Sequence, residues 1–158
     1  MKNTSSKLHL TDQLQLQLQT INAADNALDT KSGVIVAFSI AVVLAILSFN
    51  IGEPYQIKLF WRVSGLILLI LSVMLNIFII WPKQYKSGVI ERKLYNKYLN
   101  MDVDIYATNT LINLSAAIEH NSHVLLYKSQ LFKRSLIFCI LSLPLLGLSM
   151  LDLITIEI

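Results

Sequence analysis

The chain of 158 residues is 54% hydrophobic and only 15% charged, with a formal net charge of +3. Soluble domains carry about 25% charged residues, so this composition excludes an ordinary soluble domain, and the apolar residues fall into three long runs rather than being spread evenly. The bases sit beside those runs, and no basic patch interleaved with stacking aromatics accompanies them, so no nucleic-acid partner is expected.

Residues 1–7 are polar and are expected to lack order. From Leu8 onward two patterns compete. Leu14, Leu16 and Leu18 alternate with glutamines, which taken alone reads as a strand. Leu10, Leu14, Leu18, Ile21, Asp25 and Leu28 also share one helical face. Glutamine and leucine favour helix, and a lone strand would have no partner, so the spacing predicts an amphipathic helix capped by Thr11 or Asp12. The segment 1–32 does not read as a cleavable signal, so the first apolar run is expected to stay in the mature chain.

Two apolar runs follow, at 34–49 and 63–81, each free of acids and bases. At about 1.5 Å of rise per residue, each roughly matches a bilayer core of about 30 Å. Gly52, Glu53 and Pro54 make a turn between them, which predicts a transmembrane helical hairpin over 33–81. Gly33, Ala37, Ala41 and Ala45 recur every four residues on the first run, with Ser48 one turn on. A stripe of small residues lets helix backbones approach closely in lipid, so it is a candidate packing or oligomer face. It packs either within its own hairpin or between protomers. In the second run Ser64, Leu68, Ser72 and Asn76 share a face, and Asn76 is the only amide deep in a span, where lipid exposure is expensive. Phe60, Trp61 and Trp81 stand where interfacial aromatics belong, with Lys58 and Arg62 placed to reach headgroups.

Residues 82–134 form the polar remainder, expected as long cytoplasmic helices because no proline or glycine occurs between Val89 and Ser135. Ile90, Leu94, Tyr98, Met101 and Ile105 keep helical spacing, and 100–104 reads as a break or a new cap. A third apolar run, 135–151, supplies a third span. Pro144 is expected to kink it, and Gly147 to permit close approach there. Cys139 lies within this run; a single cysteine excludes an intramolecular disulfide, and its thiol is expected to fill packing space. The tail 152–158 carries two acids and no base. Eight Lys/Arg in 82–134, against two in 50–62 and none in the tail, place 82–134 and the N-terminus in the cytoplasm and the C-terminus outside.

Signs of chemistry are sparse. Glu119, His120 and His123 are the one acid–histidine cluster, and no third histidine or cysteine stands near, so they read as solvated surface residues and no metal is expected. There is no Gly-x-Ser-x-Gly, no His-Glu-x-x-His and no phosphate-cradling glycine loop, so neither an enzyme nor a cofactor is expected. The spans hold no ionisable group, which argues against a proton relay or secondary transporter.

Asp29-Thr30-Lys31-Ser32-Gly33 running directly into an apolar span resembles the Asp-x-Lys-(Ala/Ser)-Gly threshold of the first membrane helix in bacterial Pycsar membrane effectors and the related SLATT-type anti-phage effectors. The short turn, the Trp81-Pro82 exit, the long helical region and the Asn121 to Lys128 stretch before the last span are similar too. The resemblance gives Asp29, Lys31 and Gly33 as the shared motif. It implies an all-α membrane effector of the bacterial inner membrane, triggered by a defence-linked cyclase or partner sensor to compromise that membrane. Its partners would be the lipid bilayer, further copies of itself, and a nucleotide second messenger or sensor protein acting on the cytoplasmic helices. The alternatives are a constitutive anchor docking a soluble partner through 83–131 and a small channel or transporter subunit.

Overall fold

The computed structural model describes residues 2–48, 56–86 and 101–149. Three helices account for nearly all of them: α1 at Lys2–Ser48, α2 at Gln56–Ile80 and α3 at Val103–Leu148. There is no strand among the described residues. Each helix contains a stretch long and apolar enough to cross a membrane.

The helix expected from Leu8 and the first span belong to one continuous helix of 47 residues. The expected cap at Thr11 or Asp12 is overturned: α1 already runs from Lys2, and the Thr11 hydroxyl donates to the carbonyl of Lys7, one turn back, as an interior helical threonine does. No proline occurs in α1 and no glycine precedes Gly33, so nothing in the sequence interrupts the hydrogen-bond ladder. The expectation of a new cap near 100–104 corresponds to Asp102, whose side chain accepts from the Asp104 amide at 2.9 Å at the start of α3. From there α3 runs 46 residues through Pro144. The helical pattern expected at Ile90, Leu94 and Tyr98 lies outside the described residues, as do the 52–54 turn and the 152–158 tail.

Side-chain burial follows a period of seven. On α1 the buried positions are Leu18, Asp25, Ser32, Ser39 and Ile46. On α3 they include Ala107, Leu114, Asn121, Lys128, Ser135 and Ser142, continued by Ser149 just past its end, with a second row at Cys139 and Leu146. On α2, Ser72 and Ile79 form one row and Leu69 and Asn76 another. A seven-residue repeat of inward positions is the signature of knobs-into-holes packing between slightly supercoiled helices.

The chain divides into two compact units. The first joins Met1–Ala27 to Pro82–Tyr127. Its core is Leu18 against Leu114, Ala117 and Ile118, flanked by Leu14 and Ile21. At its rim the Lys7 ammonium donates to Asp104 at 2.7 Å and to Thr108 at 3.1 Å. Both groups are exposed enough that the pair contributes at most about 1 kcal/mol.

The second unit joins Leu28–Trp81 to Lys128–Ile158. Its apolar core is Ile46, Leu69, Cys139 and Leu146, with Ile35, Val42, Val43 and Leu66 packed on it. Contacts that advance along α2 recede along α3: Gly65 meets Leu146, and Ser72 meets Ser135. The two helices are therefore antiparallel. A Cβ at Gly65 would lie 2.7 Å from Cγ of Leu146 and 3.3 Å from its backbone nitrogen. Gly65 is thus the glycine of close approach, whereas Gly147, expected in that part, faces open space.

Candidate functional site

Beside its apolar core the second unit buries a row of polar side chains, while its outside is apolar. Val34, Leu44, Leu47, Ile70, Phe78, Ile137 and Ile140 are all more than half exposed, while Ser32, Ser39, Ser72, Asn76, Ser135 and Ser142 are 0% exposed. For a span in lipid this is the arrangement that satisfies both solvents: hydrocarbon outside, hydroxyls and amide against other helices.

At the centre of this seam is a knot between α2 and α3. The Ser72 hydroxyl donates to the Ser135 carbonyl at 2.9 Å and lies 3.0 Å from the Ser135 hydroxyl. The Asn76 amide nitrogen donates to the Ser72 carbonyl at 2.9 Å and also to the Ser135 hydroxyl. Serine is small enough to bring the backbones within reach, and Asn76 then spans the gap. Lower in α3 the Ser142 and Ser149 hydroxyls return to the carbonyls of Cys139 and Leu146, both at 2.7 Å. Within this unit, among the described residues, the hydroxyls of Ser32 and Ser39 and the side-chain oxygen of Asn76 are buried without a hydrogen-bond partner. A buried polar atom left without a partner costs about 1–3 kcal/mol.

At one end of the seam the Lys128 ammonium donates to the Asp29 carboxylate at 3.0 Å. Lys128 is 2% exposed and Asp29 32%. Removing one member of a buried pair strands the other charge, which typically costs about 3–5 kcal/mol. A shallow apolar groove of about 250 Å³ opens beside Ser39, walled by Val43, Leu69 and Val73.

In the first unit, Asn121 holds the segment that leaves α2. Its side-chain oxygen accepts from the Lys86 amide at 3.0 Å and its nitrogen donates to the Lys86 carbonyl at 2.9 Å, a two-point clamp on one residue's backbone. His120 Nε2 lies 3.2 Å from the Gln84 carbonyl.

The residues singled out by sequence therefore separate. Ser72 and Asn76 come together in the α2–α3 knot, and Asp29 pairs with Lys128. Lys31 is exposed. Gly33 is half-buried with nothing near its Cβ position, and Ala37, Ala41 and Ala45 are exposed, so within one chain the four-residue stripe is not the packed face. The packed face of α1 is Ser32–Ser39–Ile46. The signal that finds it is the seven-residue recurrence of Asp25, Ser32 and Ser39 on α1 and of Asn121, Lys128, Ser135, Ser142 and Ser149 on α3. His120 makes the Gln84 contact, and among the described residues no three His, Cys, Asp or Glu side chains gather as a metal site requires.

Three membrane-length apolar helices with polar side chains turned inward define an α-helical membrane protein. A family model of the Pycsar effector protein domain matches residues 13–155, and the chain belongs to that family. It is accordingly a membrane effector of anti-phage defence, in a family that acts with cyclic-nucleotide signalling. No curated protein and no solved structure gives a match. The matched region contains Asp29, Asn121 and Lys128 together with the serine seam.

Proposed function

We propose that this protein is a non-enzymatic effector of the bacterial inner membrane that oligomerises and permeabilises the membrane when triggered. One observation carries the reading: the Gly33–Ala45 stripe of a Pycsar effector lies uncovered on α1 while a different face packs its own chain. Small residues facing lipid gain nothing there, but they give a second copy's helix a close approach. In this reading residues 1–32 and 82–134 are cytoplasmic, 33–81 is the transmembrane hairpin, 135–151 is the third span and 152–158 is the external tail. The trigger, a nucleotide second messenger or a sensor or cyclase protein, acts on the cytoplasmic helices and biases a two-state packing of the spans.

The test is phage challenge of cells carrying the gene with its genomic neighbours. Membrane potential is expected to collapse, and normal potential with arrested phage would sink the reading. Ala41→Leu fills the stripe with a bulky side chain, so cross-linked oligomers and toxicity should be lost together at unchanged membrane levels.

A second reading, a constitutive anchor, is favoured by the exposed apolar residues of the first unit, among them Leu16 at 64% and Ile112 at 61%. These would dock a soluble partner through residues 83–131 and the N-terminal helix. Under it the potential stays intact and affinity purification returns a stoichiometric partner. A small channel or transporter subunit would instead show ion flux in liposomes without any defence trigger.

A further inference from the structure

We infer that the serine–asparagine seam inside the three-helix unit is the lining of the water path through which the membrane leaks, so that the path opens within a subunit. The stripe between subunits then serves assembly alone. The inference rests on the permeabilising function proposed above and specifies where that function is carried out.

The seam has the length and the chemistry of a path. Along α3 its polar positions run from Lys128 through Ser135 and Ser142 to Ser149, an axial distance of ~31 Å at the helical rise, close to the ~30 Å of a bilayer core. On α1 it holds Ser32 and Ser39, and on α2 Ser72 and Asn76. All of these are buried, although α1, α2 and α3 have apolar side chains enough to fill an interior. Stability alone would place alanine or leucine at such positions, because an unpartnered hydroxyl weakens a dry interface. Ser32 and Ser39 point hydroxyls inward that meet no partner among the described residues, and the Asn76 oxygen is likewise unmatched. Water would satisfy all three. The packed seam is therefore a dry state whose unmet acceptors favour wetting once the helices part.

Its chemistry also fixes what passes. Hydroxyls and one amide present both donors and acceptors, and no acid or base lies between Ser32 and Ser48, Val63 and Trp81, or Ser135 and Ser149. Such a lining hydrates small cations and anions alike, so the leak does not select by charge sign. Among the described residues the charges at the seam are Asp29 and Lys128, joined to each other at its end.

Cys139 provides a reporter in the unaltered protein. It is buried beside Ile46, Leu69 and Leu146, one turn from both Ser135 and Ser142. Cells carrying the gene and its genomic neighbours are exposed to MTSET, a cationic, membrane-impermeant thiol reagent, before and after phage challenge. A thiol in water reacts at least about tenfold faster than one sealed in apolar packing, and Cys139 is expected to show that acceleration once the membrane leaks. In a Cys139→Ala background, Ser39→Cys should behave the same way, while Ala41→Cys on the outer stripe should stay unreactive. A leak with Cys139 and Ser39→Cys still protected overturns the inference, and reactivity confined to Ala41→Cys relocates the path to the subunit boundary. Reactivity at Ser39→Cys before challenge also overturns it, because the resting seam would already be wet. If challenge produces no leak at all, permeabilisation itself fails and the path falls with it. Should either substituted chain not reach the membrane, Cys139 in the unaltered chain decides alone.

Discussion

Lys128 shows how a single side chain can carry more than its composition suggests. Counted as a base, it is one of eight in 82–134. In the fold it is sealed at 2% exposure and committed to Asp29, so the exposed positive charge just before the third apolar run is left to Lys133 and Arg134. Its long stem is buried with it, and its ammonium needs a counter-charge there. Lys128→Met should lower unfolding free energy by roughly 3 kcal/mol, the lower part of the range for a broken buried pair, since Asp29 keeps some solvent. Asp29→Asn should cost more than the double variant, because the double leaves no stranded charge. Thermal unfolding in detergent, read by Trp61 and Trp81 fluorescence, checks both. A double variant less stable than either single would show that the pair contributes through something other than charge.

At the level of elements, the long helices were legible in the sequence and their boundaries were not. The described parts of the apolar runs lie in helices as far as Ser48, Ile80 and Leu148, as a backbone crossing lipid requires. The amphipathic face Leu14, Leu18, Ile21 and Asp25 was readable too, and it packs or half-packs. The continuity of α1 across residues 29–33 was hidden: a motif followed by a glycine looks like a boundary, yet Gly33 is simply a helical residue with room around it. The face of contact was hidden for a subtler reason. A four-residue stripe of Gly and Ala is conspicuous, whereas a seven-residue row mixing Asp, Ser, Asn and Lys is conspicuous only after the spacing is counted. Gly65 is silent in the sequence, because a lone glycine in an apolar run gives no hint of the Leu146 backbone that faces it. The Asn121 clamp belongs to this scale, since it fixes the exit of one helix against the flank of another. Asn121→Ala should free the 82–86 segment, and trypsin should cut after Lys83 and Lys86 several-fold faster in inside-out vesicles. An unchanged cleavage rate would mean that the His120–Gln84 contact or other packing holds it alone.

For the molecule as a whole, α1 carries two distinct faces, one packed within its own chain and one uncovered. Ser39 faces inward and Ala41 outward, only two residues apart. With Cys139 replaced by alanine, Ala41→Cys should therefore cross-link to a second copy under mild oxidation in native membranes, giving a dimer band on denaturing gels, while Ser39→Cys should not. Cross-linking at position 39 instead would mean that copies exchange helices rather than abut.

The Ser72–Asn76–Ser135 knot joins α2 to α3 and leaves α1 out. From Ser32 to Ser48, no side chain of α1 bonds to either neighbour among the described residues; Ser48 bonds only to Leu44 of its own helix. Within the bilayer, then, α1 is held by apolar packing, for which lipid tails compete on nearly equal terms. Nothing in a lipid tail can replace what Asn76 would lose. Two of the membrane staves are pegged together, whereas from Ser32 to Ser48 the third has no peg to either among the described residues, and along that stretch it can yield its place to lipid.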